Sequence, residues 1–430
     1  MASTYLTRTQ TAGNRRKGTF SAWIKRSALA YNYLMSWNST TSGTSLGDWI
    51  RFNGDRLDVI KYTGSVVYRV QTNRLFRDTA AWYHIVVAYD SEQSTASNRI
   101  KIYVNGVQET SFETSTYPSE DYDFEFNNNN IVACVGKNYN TEANFNGSMA
   151  MMEWVDGQQL TPAYFGSTDS NTGIWTPTAT STISDYGTNG FKLKMDTTSP
   201  GADTSGKGNT FTPSGTPTLT QGSPSNNYVC MNPLFAGDNS AITYSNGNLK
   251  TTATNEGQKN AVSTIGVSSG KWYCEMVSRN GNNYPGFGIM DSQSILQTSI
   301  LYLGSSVDSY CMFQDGNYYT NASAVSTGTT WGVGSIMGIS IDLNSATKTI
   351  KFYKNGAEEH SATIATPAND YVFAASHNQN GSITEMNFGE GFFGTTAAGT
   401  NADGNGQGLF AYAVPSGYYA LNTKNLEAYG

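Results

Sequence analysis

Two seven-residue segments, Ile100-Lys-Ile-Tyr-Val-Asn105-Gly106 and Ile350-Lys-Phe-Tyr-Lys-Asn355-Gly356, constrain the fold of this chain more than anything else in it. Each alternates apolar and polar positions and then meets Asn-Gly, the dipeptide that best tolerates the two positive φ angles of a type I′ turn. Each predicts a β-hairpin. A strand ending in aspartate precedes both, Trp82 to Asp90 in the first half and Met337 to Asp342 in the second. One hairpin in each half predicts two antiparallel β-sandwiches in tandem.

The remaining pattern agrees. Thr19-Phe-Ser-Ala-Trp-Ile-Lys25 alternates with period two, and Trp49 to Phe52, Leu57 to Ile60 and Val66 to Val70 follow between turn signals. Short strands in succession argue for a sandwich or barrel rather than βαβ units. Only 14% of residues are charged, while 44 glycines and 27 tyrosines suit short strands joined by polar turns. The fold class expected is all-β. A length of 430 residues allows about two to three domains, and the pattern places two. Their expected extents are 1–195 and 226–395, joined by a Gly, Ser, Thr and Pro-rich linker at 196–225, with 396–430 packing back on the second domain.

Charge and composition narrow the partners. A formal charge of −7 and a pI near 5.1 provide no basic field for a phosphate backbone, so no nucleic acid is expected. No apolar run is long enough to span a bilayer, so no membrane insertion is expected either. The first residues lack a secretory apolar stretch, which points to synthesis in a cytoplasm. Cys134, Cys230, Cys274 and Cys311 are dispersed without a C-x-x-C pair, as buried free thiols would be.

The order Phe20-Ser-Ala-Trp-Ile-Lys25, Trp82 to Asp90, Ile102-Tyr-Val-Asn-Gly106, Phe145-Asn-Gly and Asp156-Gly-x-x-Leu160 resembles the laminin-G-like, concanavalin-A-like jelly roll over the first 165 residues or so. The order Gly270-Lys-Trp-Tyr-Cys-Glu275, Gly286-Phe-Gly-Ile289, Ile350 to Gly356, Phe373-Ala-Ala-Ser376 and Asn387-Phe-Gly389 resembles a SPRY domain. The pairing, joined by Asp203-Thr-Ser-Gly-Lys-Gly-Asn209, resembles virion proteins of tailed bacteriophages. That resemblance implies a non-enzymatic virion surface protein, a tail-fibre, receptor-binding or head-decoration component. Its implied partners are other virion proteins and host surface glycan, and a homo-oligomer is expected. Because the laminin-G-like pattern begins almost at Met1, no separate shaft or anchor is expected ahead of it. Two alternatives remain: a concanavalin-like polysaccharide depolymerase and a SPRY-mediated protein-binding adaptor.

Candidate chemistry is sparse. Gly266-Val-Ser268-Ser-Gly270 fits G-x-S-x-G, but a strand pattern follows it where a nucleophile elbow needs a helix. Gly404-Asn-Gly-Gln-Gly408 lacks the lysine and helix of a phosphate loop. His84, His360 and His377 show no ligand spacing. In Asp121-Tyr-Asp123-Phe-Glu125-Phe, alternation would put three carboxylates on one strand face, a candidate for glycan or calcium contact and for the depolymerase reading. Retaining hydrolysis needs carboxyls about 5–5.5 Å apart, and alternate strand residues lie about 6.6 Å apart. In the second domain Tyr310, Asp315, Asn317, Tyr318 and Tyr319 combine aromatic faces with polar groups beside an Asp-Gly turn, as sugar recognition requires. No cofactor is expected; calcium is a possibility without a specific motif, and the metal content is open.

Overall fold

The structure is a computed structural model describing residues 4–39, 47–138, 144–178, 182–196, 198–235, 241–280, 284–294 and 302–430. It divides into two compact units, Met1–Leu219 and Thr220–Gly430. Both are built of antiparallel sheets, and the helix Thr423–Tyr429 is the longest helical element among the described residues. Among the described residues no helix is long and apolar enough to cross a membrane.

In the first unit an eight-stranded sheet runs, in spatial order, Phe112–Thr116, Val66–Leu75, Arg56–Tyr62, Gly47–Asn53, Asn32–Ser39, Ile131–Val135, Tyr5–Thr9 and Thr212–Ser214. Facing it is a six-stranded sheet, Phe191–Leu193, Gly147–Asp156, Lys17–Arg26, Trp82–Asp90, Ile100–Val104 and Val107–Gln108. The core between them is aromatic. Trp37 of the larger sheet meets Trp154 of the smaller at 5.1 Å between centroids, and Phe126 packs on both, at 5.7 and 4.8 Å. Each buried indole removes on the order of 200 Å² from water, about 5 kcal/mol of transfer free energy before conformational entropy is counted.

The second unit repeats the plan. Its larger sheet orders Ile242–Ser245, Lys250–Ala253, Ile383–Asn387, Lys271–Ser278, Ile336–Asp342, Thr349–Lys354 and Ala357–Thr363, with Tyr419–Ala420 adding in parallel to Lys271–Ser278. The smaller orders Lys259–Val262, Tyr371–His377, Gly286–Asp291, Ser309–Phe313, Asn317–Thr320 and Ser323–Ser326. Trp272, Phe352, Phe373 and Met386 sit in its core, each fully enclosed. All four cysteines are buried and unbridged, as their apolar surroundings implied.

Both hairpin segments form type I′ turns. Asn105 and Gly106 have φ of 48° and 82°, and Asn355 and Gly356 have 50° and 84°. The asparagine side chains also act across the sheet. Asn105 Oδ1 accepts from the His84 backbone N–H at 2.8 Å, and Asn355 Oδ1 accepts from that of Ile336 at 3.0 Å. Each thereby satisfies the first free amide of the neighbouring strand, a role beyond φ tolerance.

The composition-based linker is more ordered than its residues suggest. Within 196–225, Asp203 Oδ1 accepts from Lys192 N, Phe211 lies in the first core and Thr212–Ser214 pairs with Tyr5–Thr9. Beyond the division at 219/220, Gln221 N donates to Glu390 O in the second unit. Glycine and serine content here reflects tight turns rather than a free tether.

Candidate binding surfaces

Strand alternation sends Asp48, Ile50 and Phe52 into the first core and leaves Trp49 and Arg51 on the outer face of the eight-stranded sheet. Asp58, Ile60 and Tyr62 share that face from the next strand. The Asp58 carboxylate is fully buried there between two guanidiniums, with Arg51 Nε at 3.0 Å and Arg69 Nε at 2.8 Å. Arg51 lies 5.2 to 5.7 Å from the rings of Trp49, Tyr31 and Tyr33. Tyr62 stacks on Trp49 at 5.9 Å. Tyr31 is 54% exposed, so one ring of the group is open to a ligand. The Trp49 indole N–H is buried and has no hydrogen-bond partner among the described residues. An exposed ring beside two guanidiniums on one face supplies groups that bind a sugar through stacking and hydroxyl contacts.

The acidic segment differs from expectation. Residues 117–130 form no strand, and Asp121 and Asn127 take positive φ of 57° and 58°. The alternation survives as inside versus outside. Phe124 and Phe126 stack at 4.7 Å in the core, Asp121 and Asp123 face outward, and Glu125 between the two rings is partly covered. Arg16 joins Asp121 at 2.9 Å and Asp123 at 3.1 Å, whereas Glu125 turns to Lys61 at 2.9 Å. Burial works to raise the Glu125 carboxyl, but Asn128 and Lys61 outweigh it and hold the group below its ordinary value. A glycosidic general acid needs the opposite shift. Lys61 also approaches the buried Asp48 at 3.7 Å, and Tyr68 donates to Asp48 at 3.1 Å. Burial raises the Asp48 carboxyl despite these partners.

Of the second-unit candidates, two are interior. Tyr310 lies edge-on to Tyr371 and its hydroxyl accepts from Ala365 N at 2.8 Å. Tyr318 packs against Phe352 and His360, at 6.0 and 4.6 Å. Neither offers a ring face to a ligand, because alternation turns both into the sandwich. Tyr319 points the other way and packs beside Phe313 and Tyr302. Asp315 is exposed and caps the turn, accepting from Asn317 N at 3.0 Å and Asn317 Nδ2 at 2.7 Å. Asp315, Asn317 and Tyr319 thus remain at the surface, and Tyr310 and Tyr318 do not.

The structure brings out residues whose roles the sequence did not announce. His84 stacks on Trp23 at 4.7 Å and on Trp175 at 6.0 Å. Trp175 Nε1–H donates to His84 Nδ1 at 2.9 Å, so His84 Nε2 carries the proton and gives it to Ser21 Oγ at 2.9 Å. Ser21 faces a donor, not a base, and the position a triad acid would fill holds an indole. Burial lowers the His84 pKa to about 3.

Four carboxylates, three of them buried and Asp203 half-buried, act as hubs for backbone amides. Asp156 accepts from Asn14 N at 3.0 Å, Asn189 N at 3.0 Å and Asn127 Nδ2 at 2.8 Å. Glu275 accepts from Ala411 N, Tyr412 N, Asn387 Nδ2 and the Tyr273 hydroxyl. Asp203 and Asp403 open loops of one pattern, Asp-x-x-Gly-x-Gly, and each gathers amides of its own loop and of a neighbouring strand. Asp203 takes Lys192 N and Asn209 N, and Asp403 takes Gln407 N and Ala420 N. The shared spacing was the available signal; its partners lie too far off in sequence to be read.

Residues 2–164 match the concanavalin A-like lectin/glucanase superfamily (Laminin_G_3), and residues 251–391 match the SPRY domain. Domains of these two kinds generally mediate protein or glycan binding. No curated protein matches the chain. Among solved structures it is similar to the SPRY domain of human HERC1, at 17% identity over 36% of this chain and 96% of that one, with a TM-score of 0.30. A human SPRY domain shares 20% identity over 34% and 94%, at 0.29, and the TRIM65 PSpry domain 14% over 37% and 88%, at 0.29.

Proposed function

We propose that this chain is a recognition protein of a tailed-bacteriophage particle, exposed on the virion as a tail-fibre, receptor-binding or head-decoration component. The first sandwich contacts host glycan through the outer face of its eight-stranded sheet, and the second makes protein contacts. The observation that carries the glycan reading is the open Tyr31 ring beside the Arg51–Asp58–Arg69 group. The concanavalin-like and SPRY segments support a carbohydrate- or protein-binding role, and the particle assignment rests on the resemblance of their pairing to virion proteins.

Calorimetric titration of the full chain with host-surface polysaccharide tests the first part. Saturable binding that Tyr31→Ala weakens is the expected result, and no binding by a folded native chain rejects the site. Mass spectrometry of purified particles tests the second part. Absence of the chain from particles rejects the virion assignment.

A further inference from the structure

Among the described residues, most edges of the four larger sheets carry protection against stray pairing. Ala357–Thr363 has Glu358 and Glu359 and a bulge in its pairing, Phe112–Thr116 has Glu113 and a bulge, and Lys259–Val262 begins with a lysine. Phe191–Leu193 carries Lys192, Thr212–Ser214 holds Pro213 and Val107–Gln108 spans two residues, whereas Ile242–Ser245 is uncharged but exposes only Thr243 fully. Ser323–Ser326, the outermost strand of the six-stranded sheet in the second unit, carries none of these devices. It pairs on one side with Asn317–Thr320 and is exposed along its whole length. From Gly316 to Ile341 the sequence has no charged residue and no proline. A bare, uncharged edge displays its outward N–H and C=O groups as a template for another strand.

Two further features mark this edge. Val325 is 55% exposed, and Val307, 61% exposed, belongs to a loop tied to the hairpin turn by Asn321 N to Ser306 O and Ala322 N to Gly304 O. Tyr318, directly opposite Val325 in register, is 4% exposed, yet its hydroxyl has no hydrogen-bond partner among the described residues.

We infer that Ser323–Ser326 is a self-association edge, and that its occupant is the same strand of a second copy of this chain. Two-fold antiparallel pairing brings a short strand against its own copy and sets the residue on the axis against itself, which an uncharged strand tolerates and a like-charged one does not. This matters in a chain carrying −7, whose copies otherwise repel. The register follows from the faces. Residues directly opposed across antiparallel strands share a face, so a sheet that continues with its core side unbroken sets a residue rather than a gap on the two-fold axis, and placing Val325 there buries the most apolar surface. Ala324 then opposes Ser326, the two exposed valines cover each other, and two six-stranded sheets become one.

Sedimentation equilibrium of the full chain tests this, run on the native chain and on Val325→Lys. The native chain is expected to form a dimer at micromolar concentration. The lysine variant is expected to dissociate at least about tenfold more readily while keeping its circular dichroism and melting temperature, because the site is exposed and like charges then meet on the axis. A native chain that stays monomeric across the range overturns the inference. A dimer that Val325→Lys leaves intact overturns it too, as does an edge that captures a different protein's strand without self-association.

Discussion

Trp175 packs on Gly106 so closely that a methyl group on that glycine would lie 2.7 Å from the indole carbon Cε3; Tyr412 stands against Gly356 in the same way, at 2.6 Å. Each unit therefore covers its hairpin turn with an aromatic ring from its own closing segment. In the first unit the contact continues inward, since the same indole stacks on His84 and donates to it.

Gly106→Ala is expected to lower the stability of the first unit by about 2–4 kcal/mol. Roughly 1–2 kcal/mol comes from a side chain at φ of 82° and the rest from displacing Trp175. Urea unfolding followed by tryptophan fluorescence reads the change, and an unaltered midpoint refutes it. The equivalent change at Gly356 should move the other unit's transition.

Stability is expected to fall as pH drops below about 6.5. Burial lowers His84 to about 3 and His377 to about 4, so above the unfolded value of about 6.5 both are neutral in either state and nothing is lost. Below it the unfolded chain takes up protons that the folded one refuses. By pH 4 the His84 contribution is on the order of 3 kcal/mol, and the loss saturates near the folded values. Buried Asp48, Asp156 and Glu275 have raised values and work in the opposite sense: their contribution is present at low pH and lost as pH rises through those values. Melting temperatures from pH 8 to 4 should therefore be compared with those of His84→Gln. A variant with the native slope would count against the assignment.

Glu275→Gln is expected to loosen the segment after the SPRY-like strands. The amide presents an NH₂ where the carboxylate accepts from Ala411 N or Tyr412 N, leaving a buried donor unpaired at a cost of about 1–3 kcal/mol. Limited proteolysis should show new cleavage between Thr396 and Tyr412. Native-like resistance would mean that Phe410 packing against Tyr273 at 5.2 Å holds the segment without the carboxylate.

Tyr31→Ala is expected to leave the melting temperature within about 0.5 kcal/mol equivalent, since the ring is largely exposed. If the outer face binds glycan, affinity should drop about tenfold for the loss of one stacking ring. Arg69→Ala should weaken binding as well, but with a cost in stability, because it removes one of the two guanidiniums that hold a fully buried Asp58.

The hairpins, the all-β class and the two-sandwich plan were legible because they rest on local rules: period-two alternation and the φ preferences of Asn-Gly. The same alternation read Phe124 and Phe126 correctly as one side and the carboxylates as the other, yet it assigned a strand. Asp121 and Asn127 turn the backbone at positive φ, and periodicity carries no sign of that. Tyr310 and Tyr318 were placed at the surface because an aromatic cluster near a turn looks the same whichever face it takes. The hubs were out of reach for another reason. Asp156 is bound by Asn14 and Asn189, and Glu275 by Ala411, partners that only the completed topology brings near.

Strand Tyr5–Thr9 lies between Ile131–Val135 and Thr212–Ser214, and Phe211 completes the core beside Phe191. On the ribosome this earliest strand emerges long before either neighbour exists, and it must wait, unpaired, for most of the unit to be translated. A fragment cut at residue 164, where the sequence match stops, would lose Trp175, Phe191, Asp203 and Phe211 together, and with them the pieces that lock the ends of the chain to the sheets.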